Sequence, residues 1–208
     1  MMNDNHNHNH HGGGGQSFIN KVAFLDDVMR KRTLPPEEIL NMLTIQKGMS
    51  ILDAGAGSGY LTISAAKQTD GTVFALDIDD RMLEVIDTKA KAEKLTNIQL
   101  VQGNINNIPL PEGSVDIVLA SLILHEVESL PAVLTQINRV LKTGGYFLCL
   151  EYEKEESAVK GPPMHIRILS VEMEQQLITA GFNITQKVFP RESIYIIVAQ
   201  KTGSVHYE

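Results

Sequence analysis

The chain contains no tryptophan and a single cysteine, Cys149. One thiol cannot form an internal disulfide, so a disulfide-stapled secreted scaffold is excluded and a reducing compartment suits the composition. Aromatic residues make up only 5% of the chain. No basic tract interleaves with them, and the formal net charge is −7. Both features argue against a nucleic-acid backbone as partner. No apolar run approaches the roughly 20 residues that cross a bilayer, and the N-terminus lacks the basic-then-apolar pattern of a secretory signal. The expectation is a cytoplasmic protein without a membrane partner. What is present is ordinary: 208 residues, 43% hydrophobic and 21% charged. That suits one domain with a full core.

The N-terminal end is compositionally different. His6, His8, His10 and His11 alternate with asparagine, and glycines 12–15 follow. Such a segment cannot bury a core. Residues 1–17 are expected to form a disordered tail, and 18–208 a single domain. Histidine tracts take up transition metals, so metal scavenging is one function open to the tail. No metal site is expected in the domain.

Past the tail, 18–32 reads as a short amphipathic segment. Pro35 and Pro36, then Glu37 and Glu38, open a helix that runs to about residue 43, with proline and acids in its first turn. Apolar runs at 50–54, 72–77, 98–102, 115–121, 146–152, 182–188 and 193–201 read as strands. Helical segments lie between them at 61–68, 81–94, 131–141 and 170–180. Asp79 or Asp80, Ser129 and Ser170 stand where helix caps belong. Alternation of this kind predicts a parallel sheet covered by helices. The last two strands are joined by a short loop and should pair antiparallel.

The most informative stretch is Asp53, Gly55, Ala56, Gly57, Gly59 and Tyr60. A buried strand ends in an acid and breaks into a turn with glycine at every second position. Glycine permits the backbone angles of such a turn and lets a ligand approach closely. The helix that follows aims free N–H groups over it. A dinucleotide fingerprint needs G-x-G-x-x-G, and here Tyr60 occupies the place of its third glycine. Asp53 would repel a pyrophosphate and attract a cationic ligand. S-adenosylmethionine carries an ammonium and a sulfonium and no phosphate. Asp77, about twenty residues further on, can accept from both ribose hydroxyls, as it would in a dinucleotide site. Ile78 beside it can pack on an adenine face.

The D-x-G-x-G-x-G run resembles the first motif of class I S-adenosylmethionine-dependent methyltransferases. The likeness extends from about residue 35 to about residue 201. Residues 34–38, 108–111, 124–126 and 139–145 are similar to the branch that holds the quinone-biosynthesis-type and small-molecule enzymes. The resemblance implies an α/β, Rossmann-like, doubly wound, mostly parallel seven-stranded sheet with an antiparallel C-terminal strand. It implies S-adenosylmethionine as cofactor and a small-molecule methyl acceptor as partner. Asn104 stands where the family usually carries an acid for the adenine amino group; its side-chain oxygen can accept the same bond without charge assistance. Ile105 adjoins it. Ser121 opens the segment that in relatives runs beside the methionine end of the cofactor. His125 follows as the candidate base, its ordinary pKa being near neutrality. A loop with Gly161, Pro162 and Pro163 lies over the pocket in relatives, so Tyr152, His165 and Arg167 are candidates for the acceptor side.

Arsenite methylation is disfavoured, because related enzymes hold the metalloid with several thiolates. Three other functions share parts of this pattern. A nicotinamide-dependent reductase would share the fold and Asp77. A transferase moving an aminopropyl group would keep the glycine cradle. A non-catalytic S-adenosylmethionine-binding or metal-binding protein would need no acceptor.

Overall fold

The computed structural model describes residues 13–26, 34–155 and 161–203. The apolar runs become strands β1 (Ile51–Ala54), β2 (Val73–Asp77), β3 (Ile98–Gln102), β4 (Val115–Ser121), β5 (Leu141–Tyr152), β6 (Phe182–Arg191) and β7 (Ile194–Lys201). The helices are α1 (Gly13–Leu25), α2 (Pro36–Leu40), α3 (Thr62–Ala66), α4 (Asp80–Ala92), α5 (Leu130–Val140) and α6 (Ser170–Thr179). Short 3-10 turns lie at Leu124–Glu126 and Met164–Ile166. The strands form one seven-stranded sheet in the order β3-β2-β1-β4-β5-β7-β6. Neighbours are parallel from β3 to β5. Only β7 runs against its neighbours, β5 and β6. This is the architecture expected.

The strand period of two distributes the core to both faces. On β4, Val118 and Ala120 point to one cluster, Ile117 and Leu119 to another. On β5, Phe147 and Cys149 alternate in the same way with Leu148 and Leu150. The first face is covered by α5 and α6 through Val133, Leu134, Ile137, Met173 and Leu177. The second is covered by α2 and α3 through Ile39, Leu40, Leu61 and Ala65, with α4 adding Leu83 and Ile86 over Ala75. Central strands buried on both faces explain why these segments read as continuous apolar runs.

Several local expectations need correction. Helix α1 begins at Gly13, so glycines 13–15 belong to a helix and not to the tail; nothing local accounts for a helix over these residues. Positions 1–12 and 27–33 lie outside the described residues, and the histidine tract lies among them. Ser170 does not cap α6: the cap position is Leu169, and the N–H of Ser170 donates instead to the Glu153 carboxylate, at 3.2 and 3.3 Å. An acid at a helix N-terminus satisfies the same free donors a serine would. Strand β5 starts at Leu141, where α5 ends, so Gly144 and Gly145 lie inside a strand. A side chain on Gly145 would meet the Asp116 carbonyl oxygen at 2.8 Å. Both glycines serve the irregular pairing beside β4 between Val115 and Ile117.

Candidate functional site

The carboxyl ends of parallel strands are where such folds place ligands, above all where the strand order reverses. Here that point lies between β1 and β4. Strand β1 delivers Asp53 and the glycine turn. Gly55 has φ +76, Gly57 +53 and Gly59 +84, values an L-residue adopts at a cost. The N–H groups of Gly55 and Ala56 both donate to the Leu76 carbonyl oxygen at 2.9 Å. The N–H of Gly57 donates to Asp77 Oδ2 at 2.8 Å. The other oxygen of Asp77 accepts from the Asp79 N–H at 2.9 Å. Asp79 is the actual cap of α4, accepting from the Arg81 N–H. Asp77 is thus free of capping duty and braces the glycine turn from the neighbouring strand.

Asp53 is only 2% exposed. Burial, partly opposed by a 2.6 Å hydrogen bond from Thr62 Oγ1 and reinforced by the charge of Asp77, pushes its carboxyl up to about 6. A buried acid with so raised a value holds its charge well only beside a cation. Ser121, at the end of β4, has a buried hydroxyl without a hydrogen-bond partner among the described residues. Buried polar atoms are rarely left this way. The two residues line a small cavity of about 30 Å³ together with Gly57 and with Leu25 from the last turn of α1. A larger cavity of about 260 Å³ lies on the far side of Gly59, among Glu37, Lys67, Lys89 and Glu93. Asp53, Ser121 and His125 have no part in it, and its charges include the Lys67–Glu93 ion pair.

The other residues expected at the site lie after β2, after β3 and within the turn itself. Ile78 is 68% exposed at the end of β2, a large apolar side chain left in the open. Asn104 is exposed just past β3, and its Oδ1 accepts from the Asn106 N–H at 2.8 Å. Ile105 packs against the core. Tyr60 is buried, and its hydroxyl donates to the Leu34 carbonyl oxygen, so it ties the turn to the segment before α2.

On the rim beyond β4 the chain turns sharply. Leu122 has φ 57, an outlier for a bulky residue. Its N–H donates to the Leu150 carbonyl oxygen at 2.8 Å. This bend sets Ile123 against Gly55, where a side chain on the glycine would meet Ile123 Cγ1 at 2.6 Å. It also swings His125 toward the end of β5. There His125 Nδ1 lies 2.7 Å from Oε2 of Glu151, a carboxylate 1% exposed. Burial disfavours the imidazolium, but the hydrogen bond and charge of Glu151 outweigh that and hold the His125 pKa above its ordinary value. The His125 ring stands edge-on to Tyr152 at 6.5 Å. The Arg167 guanidinium is buried and lies over the Tyr152 ring, 5.3 Å from its centre. Arg167 is fixed by the carbonyl oxygens of Pro162 and Glu153, at 2.9 and 3.2 Å. His165 is exposed in its 3-10 turn and does not join this group.

Sequence reasoning missed Glu151, Thr62 and Leu25. Glu151 carried a signal: it is an acid at the end of an apolar strand, as Asp53 and Asp77 are. Nothing local marks Thr62 or Leu25. Cys149 is fully buried, and burial pushes its thiol well above the usual range.

Comparison with known proteins fits this geometry. A methyltransferase domain family matches residues 45–189, and the chain belongs to it, among the class I S-adenosylmethionine-dependent methyltransferases. The S-adenosylmethionine-dependent methyltransferase from Aquifex aeolicus superposes with a TM-score of 0.78 at 28% identity, over 87% of this chain and 97% of that one. Demethylmenaquinone methyltransferase from Geobacillus sp. (strain WCH70) is 36% identical over 117 residues, 55% of this chain and 50% of the relative. Its counterpart from Listeria welshimeri is 33% identical over the same share of each. The chain therefore spans about half the length of the curated relatives it matches. The cyclase SpnF shares the fold alone, at a TM-score of 0.76 and 16% identity. S-adenosylmethionine is the cofactor of this class. The residues present fit it: a glycine turn in which side chains at Gly55 and Gly59 would be crowded, and, among the described residues, a buried acid with no cation against it and a serine hydroxyl with no hydrogen-bond partner.

Among the described residues, no helix is long and apolar enough to cross a membrane.

Proposed function

We propose that this protein transfers the methyl group of S-adenosylmethionine to a small hydroxylated aromatic acceptor of quinone type. The observation that carries this reading is the rim itself. The donor cradle at the ends of β1 and β2 and the group formed by His125 after β4, Tyr152 at the end of β5 and Arg167 from the loop before α6 lie at the carboxyl ends of one sheet. The name of the Geobacillus relative, a demethylmenaquinone methyltransferase, supports the acceptor class.

In this reading the turn at Gly55, Ala56, Gly57 and Gly59 receives the donor, with Tyr60 anchoring it. Asp53 answers the ammonium, Asp77 the ribose and Ile78 the adenine face. Asn104 and Ile105 border the adenine, and Ser121 meets the methionine end. Leu25 withdraws from over Gly57 to admit the adenosyl group. The bound cofactor supplies a methyl group already activated on sulfur. The protein's part is then alignment in a dry pocket, worth about 7–11 kcal/mol of barrier when the geometry is good. Tyr152, with the buried Arg167 guanidinium against its ring, meets the aromatic acceptor, and His125 stands in reach of its hydroxyl.

The test is transfer of labelled methyl from S-adenosylmethionine to 1,4-naphthohydroquinone kept reduced. Labelled product is expected. His125→Gln should lower turnover by about 10²- to 10⁴-fold while donor affinity, read by calorimetry, stays put. Label on amines or thiols but never on the hydroquinone would move the acceptor class. Tight binding of a nicotinamide dinucleotide in place of S-adenosylhomocysteine would remove the reading altogether.

A further inference from the structure

Glu151 has no role in the fold that needs a charge. It is 1% exposed, at the end of an otherwise apolar strand. A carboxylate there is costly unless its oxygens are satisfied and its charge has a use. Its oxygens are satisfied in a directed way. Oε1 accepts from the Leu124 N–H at 2.7 Å, which fixes the start of the 3-10 turn. Oε2 faces His125 Nδ1 at 2.7 Å and also receives the Tyr152 N–H at 3.3 Å. The same carboxylate therefore places the turn and orients the ring it carries.

We infer that Glu151 is the positioning residue of an acid–base pair: it holds a proton on His125 Nδ1 and leaves Nε2, on a side chain 6% exposed, as the basic site for the acceptor. The inference rests on the methyl-transfer reading and sharpens it, because such a pair serves an acceptor that must lose a proton, a phenol or an enol. A carboxylate behind an imidazole fixes its tautomer and stabilises the imidazolium once it forms. Among the described residues, three charged groups act on His125. Glu151 faces it from β5, Arg167 opposes it from the loop before α6, and Glu126 lies 3.8 Å from Nε2 on a largely exposed side chain.

The step balances simply. The hydroxyl proton of the acceptor passes to Nε2, and its electron pair stays on the acceptor. That pair, at oxygen or at the conjugated ring carbon, forms the bond to the methyl carbon. The methyl–sulfur bond breaks with its electrons left on sulfur. On the carbon route the ring proton then leaves to solvent. His125 returns its proton to solvent before the next cycle.

The first arm of the test needs no acceptor. Ring-nitrogen NMR of the full chain, with His125 assigned by difference from His125→Gln, should show a neutral form protonated at Nδ1. In Glu151→Gln, which keeps the shape and loses the charge, that preference should weaken and the His125 pKa should fall below the wild-type value. Glu151→Asp should restore part of both. An Nε2-protonated neutral ring in the wild type, or an unchanged titration in a folded Glu151→Gln, overturns the inference. If Glu151→Gln does not fold, the wild-type tautomer alone decides. The second arm is the pH profile of methyl transfer to 1,4-naphthohydroquinone. The acid limb should move to lower pH in Glu151→Gln and kcat should fall, with the KM for the donor unchanged; an unmoved limb counts against the pair. Lack of turnover with this probe defeats the acceptor class proposed above, and the NMR arm still judges the pair.

Discussion

Asp53 is the residue on which the proposed donor recognition turns. Its carboxyl is raised from an ordinary 3.8 to about 6, first by burial. That rise corresponds to about 3 kcal/mol, at 1.36 kcal/mol per pH unit. The sign follows from linkage. The folded value lies above the unfolded one, so the ligand-free fold bears no penalty below the unfolded pKa. The penalty grows as pH rises through the interval and is complete above the folded pKa. His125 acts in the same sense. Its folded pKa is raised, so its contribution is full below the unfolded value and lost as pH rises through the folded one. The ligand-free protein should therefore lose stability as pH rises from about 4 to about 6 through Asp53 and again above about 6.5 through His125, measured by urea unfolding, and Asp53→Asn should flatten the first of these slopes. A cationic donor reverses the Asp53 term, since it favours the carboxylate. Affinity for S-adenosylmethionine should rise with pH through about 6. A pH-independent affinity in the wild type, read by calorimetry, would show that Asp53 does not answer the donor's charge. The identity of this residue was legible from its place before the glycines. Its pKa was not, because burial depends on Leu61, Thr62 and the strands on either side.

At the scale of elements, the glycine turn and the bend after β4 are one mechanical unit. Gly55 has a positive φ and no room, whereas Gly113 has φ +59 and open space around it. Gly113→Ala should lose only the backbone term, about 1–2 kcal/mol. Gly55→Ala adds a collision with Ile123 and so should lose about 1–3 kcal/mol more. It should also weaken donor binding, which Gly113→Ala should not. Denaturant unfolding and calorimetry on the two variants check this. Equal losses would mean that the Ile123 contact yields without cost. The glycine spacing announced the turn, and strand ends at β3 and β4 fell where the apolar runs ended. The partner of the turn was not announced. Ile123 reaches Gly55 only because Leu122 takes a left-handed backbone angle, and no residue type there signals it.

For the whole molecule, the sheet is the element that brings remote acids together. Asp53, Asp77 and Glu151 end β1, β2 and β5, and parallel pairing puts all three on one edge. The edge is only as firm as the core beneath it. Leu148 is fully buried in β5 among Leu119, Leu150 and Ile196. Leu148→Ala should cost about 2–5 kcal/mol and shift a single cooperative urea transition. Two separate transitions would show that the strands on either side of β4 unfold independently.

The order of strands and helices, the glycine cradle and the acid that follows it were determined by the sequence alone. Each is a local matter of periodicity, backbone freedom and spacing, and the family likeness rests on the same local runs. Only the tertiary structure decided that His125 meets Glu151, that Asp53 is sealed from water, that Leu25 lies over Gly57 and that the Ser121 hydroxyl finds no partner among the described residues. Those are long-range encounters. They depend on strand order, register and one strained bend, and no short window of residues encodes them.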